Sequence, residues 1–404
     1  MRQKLIGTVA LLLLALSCLF SVAGCSDGDN PQATIREPAK DSDAKGSTLH
    51  EAAKRGDSKT VEKLLNDGAD ANVKDEHGLT ALHWAALTGN RDIVDLLVSA
   101  GADVDARVSD DKGWAALHMA AAMGRIEVVE ALLDHGADIE EKAGGGMTPL
   151  GACASSDSRD AAHLAALLTG REDDATTRER VPPCSRRPGS ALAVAELLVA
   201  RGADTTVAGQ NGLTFLHTAM RTNHNDIAAL LLAEGVTVDA EFEDGSTPLH
   251  WAASSRNTVG VTILVASGAA VDKRNKRGET PLLNAAMSGD ARAARILIAK
   301  GADVDAEEAR RGATALHAAA ESGHTKVMNV LLANGANVDA QDVRGFTPLH
   351  AAAYYGRFAA IQALLGKGAD VNLRSKSGHT PLAAAKSEGH GEIVKLLKKH
   401  GAKE

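Results

Sequence analysis

The feature that most constrains this chain is a tripeptide, Gly-Ala-Asp or a close relative, that returns at nearly constant distance. Its glycines are Gly68, Gly101, Gly136, Gly202, Gly235, Gly268, Gly301, Gly335, Gly368 and Gly401, spaced by 33, 35, 66, 33, 33, 33, 34, 33 and 33 residues. A second element runs in phase with it: TALHWAA at 80–86, TPLHWAA at 247–253, TALHAAA at 314–320 and TPLHAAA at 347–353. Looser versions are TLHEAA at 48–53, TFLHTA at 214–219, TPLLNAA at 280–286 and TPLAAA at 380–385. A fixed period of this length signals a stacked array of small units, each unable to bury its apolar face alone.

The local chemistry of one unit supports helices. Thr80 has a hydroxyl able to satisfy free backbone N–H groups, as an N-cap does. Ala81, Leu82, Ala85 and Ala86 form an apolar face at helical spacing. The small Ala85 and Ala86 allow a neighbouring helix to approach closely. Gly89 ends that helix, Ile93, Val94, Leu96 and Leu97 line a second, and Gly101 follows where a left-handed helix end favours glycine. At the far end Lys395, Lys398, Lys399 and His400 polarise the last helix, as a terminal cap requires.

The phased TPLH and GAD elements resemble the ankyrin repeat, over residues 47–404 with one interruption. The resemblance implies an all-α solenoid with short β-hairpin loops, about ten stacked helix-turn-helix units. It also implies a protein-binding scaffold, with a concave face and hairpin tips that hold a partner. Bacterial proteins of this kind include inhibitors of immunity type, which neutralise a toxin or protease.

The interruption lies in repeat 4. Thr148-Pro149-Leu150 opens that repeat, yet Gly202 follows Gly136 by 66 residues. Because 66 is twice 33, a decayed eleventh repeat is one reading. No TPLH-like element precedes Ala191, which favours one repeat with an irregular insertion at about 155–190.

Residues 1–24 read as a secretory signal: Arg2 and Lys4, then an apolar run from Ile6 to Phe20, then small residues. The run is short for a transmembrane span of about 20 residues. Val22-Ala23-Gly24-Cys25 resembles the bacterial lipobox, which implies cleavage before Cys25 and acylation of its thiol. The alternative is an ordinary cleavage site followed by an incidental Cys. Residues 25–46 would be the lipidated Cys and a disordered tether, polar with two Pro. These features place the protein as a lipoprotein on the periplasmic or cell-surface side, with Ser26 resembling the outer-membrane sorting pattern.

Composition removes several function classes. Lys plus Arg is 44 against 52 Asp plus Glu, a net charge of −8, which argues against a nucleic-acid binder. Fifteen His invite a metal, but His50, His83, His118, His217, His250, His317 and His350 all take one position of the TPLH element. Lying a repeat apart, they cannot converge on one ion, and they read as structural groups linking neighbouring hairpins. No HExxH, GxxxxGK[ST] or GxSxG motif is present. We therefore expect no cofactor, no metal and no enzyme. The rival reading places a grafted active site in the insertion, which holds Ser155, Ser156, Asp157, Ser158, His163 and Cys184.

Cys153 and Cys184 bracket that insertion. Export would place them where disulfides form, and closing such a loop is worth roughly 3 kcal/mol. Otherwise Cys153 is a small core residue in place of the first Ala of a repeat helix.

Aromatic residues are scarce, at 2% of the chain, so their positions are informative. Trp84 and Trp251 directly follow Leu-His, a position the family pattern leaves variable and exposes on the concave face. Trp114 and Phe346 sit at hairpin tips, and Met119 matches Trp84 one repeat on. Met123, Tyr354 and Tyr355 lie near the ends of first helices. Such residues are enriched at interfaces. Together with Leu79 they predict a partner-binding surface, strongest across repeats 2 and 3, with Trp84 and Trp114 partly exposed. The chain is read as a monomer that holds another protein and touches the membrane only through its anchor.

Overall fold

The computed structural model describes residues 48–109, 112–155 and 190–403. These residues form twenty α-helices in ten antiparallel pairs and no strands. The hairpin loops carry only isolated antiparallel bridges, at Arg107–Ala115, Ala143–Met147 and Ala208–Thr214. In each pair an inner helix of six to eight residues is followed by an outer helix, as in Ala81–Thr88 and Arg91–Ser99 of repeat 2. Inner helices pack on inner helices and outer on outer along the whole stack.

Helices this short are marginal alone, since isolated helices need about 12–15 residues. Two devices hold them here. The first is burial: one continuous core of Ala, Leu, Val and Ile runs through every repeat. The second is the Thr-His pair of the TPLH element. In repeat 2 the Thr80 backbone N–H donates to His83 Nδ1 at 3.1 Å, and the Thr80 hydroxyl lies 2.8 Å from the same nitrogen. His83 Nε2 then reaches the Trp114 carbonyl of the next repeat at 3.2 Å.

A carbonyl only accepts, so Nε2 carries the hydrogen and Nδ1 is the acceptor. That fixes a neutral imidazole in one tautomer. The inter-repeat bond recurs from His118 to Met147, His217 to Ser246, His250 to Glu279, His317 to Phe346 and His350 to His379. His50 instead bonds the Val73 carbonyl at 2.8 Å.

The hairpins are also tied along the stack. Asp303 caps its own turn by accepting from the Asp305 N–H, and its own N–H donates to Asp272 of the preceding hairpin. The same link joins Asn337 to Asp305 and Asp370 to Asp339. Stacking is close enough to demand glycine at Gly278: its φ is +74°, and a Cβ there would sit 2.5 Å from the Ala309 nitrogen.

The stack is continuous through repeat 4. Its inner helix Pro149–Ala154 and outer helix Ser190–Ala200 pack on each other and on both neighbouring repeats. The hairpin bond from Asp204 N–H to Glu140 spans 64 residues of sequence, twice the usual interval, yet is 2.7 Å long. Thr222 likewise donates to the Ala154 carbonyl across the interruption. Repeat 4 is thus assembled from residues on both sides of 156–189, which lie outside the described residues. Ser156, Asp157, Ser158, His163 and Cys184 lie outside the described residues, as do residues 1–47 with Cys25.

Candidate protein-binding surface

On the side of the stack formed by the inner helices and hairpin tips, the concave face that the resemblance implies, two rows of side chains run from repeat to repeat. One row directly follows the His position: Trp84, Met119, Thr218, Trp251, Asn284, Ala318 and Ala351. The next lies three residues further on and includes Leu87, Ala122, Arg221, Ser254, Met287, Glu321 and Tyr354.

At the N-terminal end the partial exposure expected of the first row is not found. Trp84 is 3% exposed and Trp114 4%, and Leu79, Met119 and Met123 are equally buried. Asp75 explains Trp84. One carboxylate oxygen caps its own hairpin, accepting from the His77 and Leu79 N–H groups. The other accepts from the indole Nε1–H at 2.7 Å, which clamps the ring beneath the tip. Lys54 Nζ covers the ring face at 4.5 Å from its centre. Trp114 is held by its backbone, whose carbonyl accepts from both Val108 N–H and His83, and its ring lies beside His118. These five residues are core, and none offers a surface to a partner.

Further along, the rings come out. Trp251 is half-buried, edge-on to Phe242 and to His217, with Arg221 5.9 Å from its centre. Phe346 is half-buried beneath the Arg344 guanidinium. Tyr354 and Tyr355 are 47% and 45% exposed and stack edge to face at 5.1 Å. The sequence did not single out Met287, which is 53% exposed and shares the Tyr354 position two repeats earlier. Its place in that row was the signal available.

Between repeats 7 and 8 the face opens into a groove of about 520 Å³. Leu283, Ala313, Ala318 and Met287 supply its apolar wall, and Lys276, Arg277, Arg310 and Arg311 line its rim. Ala318 stands in it where repeats 2 and 6 carry a Trp. Glu308 and Glu321 are largely committed within the protein: Glu308 caps the hairpin through the Arg310 and Arg311 N–H groups, and both carboxylates pair with Arg311. Glu279 accepts from Asn275. Glu321 also bonds Tyr355 and thereby raises the phenol pKa. Four cations thus face three carboxylates around the groove, with Arg277 and Arg311 paired to them and Lys276 and Arg310 left as the positive excess, on a chain of net charge −8.

The remaining candidates for chemistry are structural. Burial holds the imidazole pKa of His83 and His217 at about 4, and lowers those of His118, His250, His317 and His350. Cys153 is a free thiol, fully buried, with Sγ 3.7 Å from the Ala121 carbonyl, and burial pushes its pKa up. It occupies the inter-helix core as a small residue; Cys184, the other half of the expected pair, lies outside the described residues. Among the described residues no cluster of His, Cys, Asp and Glu could hold a metal ion. No described helix is long and apolar enough to cross a membrane.

The family description "Ankyrin repeats (3 copies)" matches residues 49–143, 107–172, 184–275, 256–342 and 335–404. The chain belongs to the ankyrin-repeat family. Ankyrin repeats generally mediate binding to other proteins, and that coarse role carries to this chain. Its similarity to individual curated proteins is local. A human mitochondrial disaggregase is 44% identical over 59 residues, 15% of this chain and 8% of that protein. A mouse 2-5A-dependent ribonuclease is 43% identical over 77 residues, 19% of this chain and 10% of the other. Mouse ankyrin repeat domain-containing protein 40 is 43% identical over 56 residues, 14% and 15% respectively. The chain thus aligns with no more than about a sixth of the length of these relatives.

Proposed function

We propose that this ankyrin-repeat protein is a non-enzymatic scaffold, anchored by a lipid on Cys25 outside the cytoplasmic membrane, that holds another protein on its concave face. A narrower form is an inhibitor of immunity type. The observation that carries the reading is how the polar groups of the concave side are used. The buried His and hairpin Asp side chains are bonded into the stack, whereas Met287, Tyr354 and Tyr355 stand out from it. A row of exposed large side chains on a stiff curved surface suits recognition of a folded or extended protein.

The test is crosslinking in intact cells with the tethered chain as bait. A discrete protein should be captured, and the capture should survive removal of residues 156–189. Loss of a measurable activity on that deletion would favour an enzyme with its site in the insertion. Cys25→Ala should abolish lipidation and membrane partitioning; an unchanged mature mass and distribution would rule out the anchor.

A further inference from the structure

We propose that the groove between repeats 7 and 8 takes an acidic, extended polypeptide segment of the partner, with an apolar side chain seated against Leu283, Ala318 and Met287. This deepens the scaffold reading above and rests on it. Three observations converge. The groove is a recess of ligand-site size rather than a flat face. Its floor is apolar, and Met287 and the tyrosine pair continue that surface into repeat 9.

Its rim carries an excess of positive charge, four cations to three carboxylates. Arg277 has 71% of its side chain exposed and lies 4.0 Å from Glu279. Lys276 and Arg310 are exposed, with no carboxylate of the described residues within ion-pair distance. Arg344 on the next hairpin, 62% exposed, is paired with Asp342 at 3.6 Å and does not line the groove.

The arrangement selects a peptide over other anions. The side chains of Glu279, Glu308 and Glu321 are less exposed than those of Arg277 and Arg311, with which they pair. A nucleic-acid backbone, charged at every step, offers no aliphatic group for the recess lined by Leu283, Ala318 and Met287. A flat bilayer can touch hairpin tips but not an apolar floor recessed behind them. A segment alternating Asp or Glu with a large apolar residue meets both requirements, its carboxylates on the rim and its apolar group in the recess. Such contacts set specificity and on-rate and are screened by salt.

The experiment is selection of a random displayed-peptide library on the mature chain. Selected peptides should be rich in Asp and Glu with an embedded large apolar residue. They should bind the Arg277→Glu, Arg310→Glu double variant about tenfold or more weakly. Ala318→Trp, which leaves every charge in place and fills the recess, should weaken them comparably while the charge variant keeps its unfolding temperature. Selected peptides that are basic or neutral, or that bind both variants unchanged, would overturn the inference. So would an empty selection, or rim-dependent binding of phosphatidylglycerol vesicles or oligothymidylate in place of peptide. If crosslinking still captures a partner when the selection fails, the scaffold reading stands without this groove. If neither yields a ligand, both fall.

Discussion

Repeats 2–3 and repeats 7–9 carry large side chains at comparable positions of the same repeat and do opposite things with them. In repeats 2–3 Trp84 and Trp114 are roofed by Asp75, Lys54 and the hairpin backbone, and the concave face is closed. In repeats 7–9 the matching position is Asn284, Ala318 or Ala351; in the neighbouring row Met287 and Glu321 line a groove, and Tyr354 stands exposed in the next repeat. The lesson is that a concave position is not exposed by rank. It is exposed when the residue beside it is small and no hairpin carboxylate reaches over it.

Acid should act on both regions, because the buried His links run through both. His83 and His217 have folded pKa values near 4, below the ordinary 6.5. Between those values the unfolded chain takes up protons that the folded chain refuses. Stability is therefore full above about pH 6.5 and falls as pH drops toward 4, by about 3 kcal/mol for each of these two groups. Urea unfolding across that range should show it; a flat pH profile would contradict the neutral, bonded imidazoles.

Trp84→Ala separates the regions. Truncating a buried Trp costs about 3–5 kcal/mol. Each repeat contacts only its neighbours, so the loss should concentrate in repeats 1–3. Hydrogen exchange resolved by repeat would register this, and unaltered protection there would mean the ring is not core.

Midway between the regions, exposed Arg256 holds a left-handed φ of 58° where most repeats place Gly. Arg256→Gly should raise stability by about 1 kcal/mol, read as a higher urea midpoint. The smallest effect belongs to the exposed tyrosines: Tyr354→Ala with Tyr355→Ala should change stability by about 0.5 kcal/mol or less while weakening partner capture.

Much of this was legible in the sequence. The GAD and TPLH rulers located the helix pairs, the hairpins and the His that joins them, because those features are local and repeat with the chain. The roofing of Trp84 was not. It depends on which side chains, Lys54 and Asp75, fold back from another helix and another turn, and the repeat pattern leaves both positions variable. The cations of the rim were hidden by averaging: Lys276, Arg277, Arg310 and Arg311 come together only when two hairpins 34 residues apart are stacked, while the net charge of the chain is negative.

The central claim is that the accessible aromatic surface lies in repeats 7–9 and not in repeats 2–3. Hydroxyl-radical footprinting of the mature protein, read by mass spectrometry residue by residue, tests it without knowledge of the partner. Tyr354, Tyr355 and Met287 should be modified readily, Trp251 less so, and Trp84 and Trp114 should be protected until the chain is unfolded. Ready modification of Trp84 and Trp114 in the folded protein, with Tyr354 and Tyr355 shielded, would contradict the account.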